Sequence, residues 1–106
     1  MSSRETGPVF EALGDPTRRE VVRRLAEGGP ASATQLAAEL PVSRQAVSKH
    51  LAALEEAGLV EGERSGRERR FHLTPAPLSE AMAWMADVGA EWDRRLDRLR
   101  RRLEAG

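Results

Sequence analysis

Residues 32–51 read Ser-Ala-Thr-Gln-Leu-Ala-Ala-Glu-Leu-Pro-Val-Ser-Arg-Gln-Ala-Val-Ser-Lys-His-Leu, and no other stretch constrains the fold as strongly. Ser32 and Gln35 match a capping box, in which the serine hydroxyl and the glutamine amide oxygen each accept from an orphan backbone N–H at a helix start. The short helix they open turns Leu36, Ala37 and Leu40 inward and is stopped by Pro41. Ser43 then caps a second helix with Val47, Leu51 and Leu54 on one face, ended at Gly58. Only Leu40 to Val42 separate the two, which predicts a helix-turn-helix arrangement.

The flanking segments extend the pattern. Residues 1–7 are polar and expected to be flexible, and Val9, Phe10 and Leu13 suit a short first helix ended by Gly14. Asp15-Pro16 is a cap followed by a proline at the first helical position, so a second helix should run to about Glu27 and bury Val21, Val22 and Leu25. After Leu59-Val60 the period changes to two. Ser65-Gly66 supplies a turn, and Phe71 and Leu73 alternate with Arg70 and His72, which reads as a two-stranded hairpin. Thr74-Pro75-Ala76-Pro77 breaks it, and a last helix runs from Leu78 towards the end. The expected fold is mainly α with a small β-hairpin: a winged helix-turn-helix of about five helices and a two-stranded wing. Residues 8–75 form its core and residues 76–106 a dimerisation helix.

Several classes of function are excluded. A chain of 106 residues with 40% hydrophobic and 32% charged residues suits one globular domain. Without cysteine it has no disulfide, thiolate metal site or cysteine nucleophile. No apolar run approaches the roughly 18 residues of a membrane span, and MSSRETGPVF lacks the plan of a signal peptide, so a cytoplasmic protein with no membrane partner is expected. A phosphate-cradling glycine loop, a nucleophile elbow and an HExxH pattern are all missing, and Glu55-Glu56 fits a solvated helix end, so an enzyme is not expected. Neither His50 nor His72 has a partner at metal-ligand spacing. No metal and no cofactor are therefore expected.

The second helix of the pair carries the functional reading. Val47 and Leu51 face inward, leaving Arg44, Gln45, Ser48 and Lys49 outward near its N-terminus. An α-helix fits the DNA major groove, where arginine or lysine pairs with guanine and glutamine with adenine, and a helix N-terminus attracts phosphate. Ser43 and His50 are candidate phosphate contacts. A solvated polar face would look similar; the capped helix before it and the basic hairpin after it favour DNA. That hairpin, residues 62–72, carries Arg64, Arg67, Arg69 and Arg70 around a glycine-containing tip and could reach the backbone or minor groove. The formal net charge of zero argues the other way and keeps open a winged-helix protein-interaction module without DNA binding. Locally, however, residues 64–70 hold four arginines against Glu68.

Leu78, Met82, Met85, Gly89, Trp92, Leu96, Leu99 and Leu103 follow alternating steps of four and three, the period of a helix-packing seam. A second stripe runs through Ala81, Trp84 and Val88. A helix of about 29 residues spans about 43 Å, longer than so small a core can cover. A homodimer is therefore expected, with Val9, Phe10, Leu13, Met82, Met85, Gly89, Trp92, Leu96 and Leu99 at its interface.

The stretch Phe10-Glu11-Ala12-Leu13-Gly14-Asp15-Pro16-Thr17-Arg18-Arg19, then Gln35-Leu36-Ala37, Ser43 through Leu51, Ala57-Gly58-Leu59-Val60 and Arg70-Phe71-His72-Leu73 together resemble the ArsR family of bacterial winged-helix repressors over about residues 8–104. The resemblance implies a dimer built from the first and last helices and repression relieved by a signal. A two-fold dimer places its recognition helices about one DNA turn apart and so predicts an inverted-repeat operator, and the resemblance implies that this operator often lies in the regulator's own operon. Metal-sensing members carry paired cysteines in the third helix or His and Asp ligands in the last; here the third helix reads Thr34 to Leu40 without cysteine and the last has no histidine. The chain looks like the branch without metal ligands. A small-molecule effector of unknown identity could lie between the last helices near Met82, Trp84 and Met85.

Overall fold

The computed structural model of the chain describes residues 3–105. Five helices and three short strands follow in the order α1 (Ser3–Ala12), α2 (Pro16–Gly28), β1 (Ala31–Ser32), α3 (Ala33–Glu39), α4 (Arg44–Glu56), β2 (Val60–Ser65), β3 (Glu68–Leu73) and α5 (Pro75–Ala105). The strands form one antiparallel sheet in the order β1-β3-β2. The core gathers one face of every element: Val9, Val21, Leu36, Val47, Leu51, Leu54, Leu59 and Val60 are its largest fully buried side chains.

The helix starts are built from local hydrogen bonds. Asp15 Oδ1 accepts from the Thr17 N–H at 2.8 Å and the Arg18 N–H at 3.2 Å. In the capping box the Ser32 N–H donates to Gln35 Oε1 at 2.8 Å and the Gln35 N–H to Ser32 Oγ at 3.2 Å. Ser43 Oγ accepts from the Ala46 N–H at 3.1 Å. Ser32→Ala removes one of these acceptors from a 7-residue helix that has few bonds to spare. A loss of about 1 kcal/mol is expected, read as a lower urea midpoint at unchanged slope.

Asp15 adds a pH dependence. The Arg18 N–H bond, chiefly, holds its carboxyl below the usual carboxylate range. A depressed folded value stabilises the protein above the unfolded value of about 3.9, and that share is lost as pH falls through the lower folded value. Asp15→Asn keeps the cap but not the charge, so its melting temperature should fall less between pH 5 and pH 3 than that of the parent protein.

The structure departs from the sequence reading in five places. Residues 3–7, expected to be flexible, are helical from Ser3, with Pro8 inside α1; residues 1 and 2 lie outside the described residues. The proline costs one ladder bond, but close to the helix start, where few bonds lie upstream of it. The hairpin is not alone, because Ala31 and Ser32 add a third strand, pairing with Phe71 and Arg70. Its tip is one residue later than expected: Ser65 pairs with Glu68, leaving Gly66-Arg67 as the loop, with Gly66 at φ 65. That is the sign required at the first central position of a II′ turn. Helix α5 starts at Pro75, not Leu78. Pro75 and Pro77 lie in its first turn, where the N–H groups they lack would have no intrahelical partner, so prolines that look like a break initiate the helix instead.

The last departure concerns Val9. It is 1% exposed within a single protomer and belongs to the core, so it has no surface left to offer a dimer interface. Phe10 and Leu13 are half-buried against the same core.

Candidate nucleic-acid interface

Helix α4 presents its residues by periodicity. With Val47, Leu51 and Leu54 locked inward, Arg44, Gln45, Ser48 and Lys49 are all exposed. These four line one shallow surface depression. Arg44 and Ser48 also border a groove between α4 and the hairpin that Arg67, Glu68 and Arg69 of the hairpin and Thr34 of α3 line as well. Arg44 and Ser48 of the outward face of α4 therefore share a concavity with the wing tip. Thr34 lines this groove, and sequence reasoning passed over it. An exposed threonine inside a capped helix carries no signal of its own, and only the packing of α3 beside α4 brings it to the groove.

His50 stands apart from this face. It is half-buried on the flank of α4, and its Nδ1 is enclosed without a hydrogen-bond partner. It lies outside the depression lined by Arg44, Gln45, Ser48 and Lys49. His72 lies on the outer face of β3, 3.5 Å from Glu61.

The four wing arginines divide into two pairs. Arg64 and Arg67 are exposed and have no ion pair or hydrogen-bond partner among the described residues. Arg69 instead folds back onto α4, donating from both terminal nitrogens to the Glu55 carboxylate at 3.3 and 2.6 Å. Arg70 points to the other face of β3 and donates to the Pro30 carbonyl at 3.0 Å. All four are expected as DNA contacts of the wing, but strand alternation sends neighbouring side chains to opposite faces, and Arg69 and Arg70 each meet an acceptor of the protein itself.

Helix α5 rests on α1 through its second stripe. Ala81 is buried, Leu78 is partly buried, and Trp84 meets Phe10 edge-on at a centroid distance of 5.5 Å. Beyond Leu78 the first stripe is left bare: Met82 is 60% exposed, Trp92 55% and Leu103 74%. A Cβ added to Gly89 would meet nothing within 4 Å. Among the described residues no three His, Cys, Asp or Glu side chains converge as a metal site would require. No described helix is long and apolar enough to cross a membrane.

Comparison with known proteins agrees with this geometry. Residues 13–63 match the family described as a helix-turn-helix domain. The HTH-type transcriptional regulator Rv2034 of Mycobacterium tuberculosis is 43% identical over 88 residues, covering 83% of this chain and 78% of that one. An ArsR-like transcriptional regulator from Rhodococcus sp. RHA1 superposes with a TM-score of 0.78 at 45% identity, covering 92% of this chain and 91% of the other. The chain belongs to the ArsR family of winged helix-turn-helix transcriptional regulators. The transcriptional repressor SdpR of Bacillus subtilis, 32% identical over 73% of this chain and 84% of its own, is a further relative of this ArsR-family protein. Its relatives are regulators, not enzymes, which agrees with the absence of catalytic motifs from the sequence.

Proposed function

We propose that this ArsR-family protein is a dimeric, sequence-specific DNA-binding repressor acting in the cytoplasm, with its own operon among its targets. The observation that carries the reading is a groove shared by the two elements: Arg44 and Ser48 of α4, which also line a second depression with Gln45 and Lys49, border it together with the unpaired wing-tip Arg67. In this reading α4 enters the major groove. Gln45 and Arg44 meet base edges, Ser48 and Lys49 flank them, and the capped N-terminus at Ser43 faces a phosphate. Arg64 and Arg67 bind the backbone or minor groove beside it and set register without reading sequence.

A dimer is supported by the bare apolar stripe of α5. Its 31 residues make a rod of about 46 Å at 1.5 Å per residue, and the molecule is 69 Å long but only 28 and 20 Å across. Water facing Trp92, Leu96, Leu99 and Leu103 is the costly state, and a second copy of the same stripe removes it. Gly89 allows the two backbones to approach closely. A two-fold pair would set the α4 helices about 34 Å apart, one DNA turn, so the operator should be an inverted repeat.

The test is titration of the purified protein against a duplex of its own upstream intergenic DNA and an unrelated duplex, across salt. Tight, selective binding that weakens steeply with salt is expected. Equal and feeble binding to both would favour the rival reading, a winged-helix module that binds protein, for which the zero net charge speaks.

A further inference from the structure

The Arg69–Glu55 pair joins the wing to the recognition helix at a point where little else does. Beyond Phe71 and Val60 both strands of the hairpin are exposed up to the tip, apart from the half-buried Gly62. Among the described residues Arg69 is the last side chain before the tip with a hydrogen bond to α4, gripping Glu55 with both ends of its fork. Its guanidinium also lies over the Phe71 ring, 5.1 Å from the centroid. The seat beneath it exists only because residue 62, opposite Phe71 in β2, is glycine. A Cβ there would lie 2.7 Å from Arg69 Nε and 2.9 Å from Phe71 Cε1. An exposed ion pair is ordinarily worth little. This one differs in being bidentate, stacked on a core aromatic ring and seated in a space that one missing side chain leaves open. On the outer face Arg70 ties the same strand to Pro30.

We propose that Arg69 is a positioning residue. Together with Glu55 and Gly62 it fixes the distance between the wing tip and α4, and so the spacing at which Arg67 and the α4 face meet DNA, without itself contacting phosphate. The proposal rests on the DNA-binding reading above. It separates the wing arginines by role: Arg64 and Arg67 contribute charge to the complex, and Arg69 contributes geometry.

Salt dependence tells these roles apart, because a lost phosphate contact lowers the slope of log affinity against log salt by about one. The full-length protein is compared with three variants on its upstream duplex. Glu55→Ala with Arg69→Ala removes the pair at constant net charge; Gly62→Ala displaces the guanidinium with every charge retained; Arg67→Ala is the phosphate-contact reference. The first two should bind the operator roughly threefold to tenfold more weakly, summed over both wings, with an unchanged salt slope. Arg67→Ala should lower the slope. A slope reduced in the double variant as much as in Arg67→Ala would make Arg69 a phosphate contact and overturn the proposal, and so would unchanged affinity. If the parent protein shows no selective, salt-dependent binding, the DNA reading fails instead. The clamp is then judged by amide hydrogen exchange at residues 64–68, which must quicken in the double variant and in Gly62→Ala if Arg69 holds the wing.

Discussion

Gln45→Ala with Lys49→Ala is expected to abolish operator binding while leaving the dimer and its melting temperature unchanged. Both side chains are exposed on α4, and neither touches Val47, Leu51 or Leu54 on the buried side, so the fold loses nothing by their removal. Gln45 has the geometry to pair with an adenine edge, a contact worth about 1–3 kcal/mol. A two-fold complex loses it in both half-sites, about 2–6 kcal/mol, or roughly 30-fold to 10⁴-fold in affinity at about 1.4 kcal/mol per tenfold. Lys49 contributes charge, and its loss should flatten the salt dependence by about one per phosphate contact. The measurement is a binding titration at two or more salt concentrations, with sedimentation to follow the dimer. Retained operator binding would mean that α4 is not the reading helix; a dissociated dimer would mean that this face is an interface between copies.

What could be read in advance divides along physical lines. The caps at Asp15, Ser32 and Ser43 were legible because a cap acts over three or four residues, and its donors and acceptors are close in sequence. The inward faces of α3 and α4 followed from period alone. Strand β1 was not legible: two residues show no alternation, and Ser32 was already occupied as a helix cap. The prolines at 75 and 77 misled because the same residue that stops a helix from within starts one at its first turn. At the site, the exposed α4 face was legible, since burial of Val47 and Leu51 forces Arg44, Gln45, Ser48 and Lys49 outward. The fate of Arg69 and Arg70 was not, because their partners Glu55 and Pro30 lie 14 and 40 residues away and nothing local announces them. His50 shows the same limit. It shares a helix with the candidate reading residues, but one step of helical phase leaves it half-buried with its Nδ1 enclosed.

Leu96→Glu with Leu99→Glu should convert the protein to a folded monomer that binds a full operator far more weakly than the parent. Within one protomer these leucines are 41% and 51% exposed, and Ala81 is the only fully buried residue of α5, so the winged core should keep its melting behaviour. In a dimer seam two carboxylates per helix would face apolar surface and each other, a desolvation and repulsion that association cannot offset. Some helicity should also disappear from the distal half of α5. That segment would then have neither a partner nor a core to rest on, and an isolated helix of this length is marginal in water. DNA binding falls for a different reason. Each monomer still carries an intact α4 and wing, but the second half-site is no longer held at high effective concentration, a factor of about 10²–10⁴. Analytical ultracentrifugation and a titration against full and half operators separate these terms: half-site affinity is retained and the gain from the second half-site is lost. A variant that remains dimeric would place the interface elsewhere. One that unfolds outright would show that the bare stripe is required by the core of a single chain, and the dimer would then need another basis.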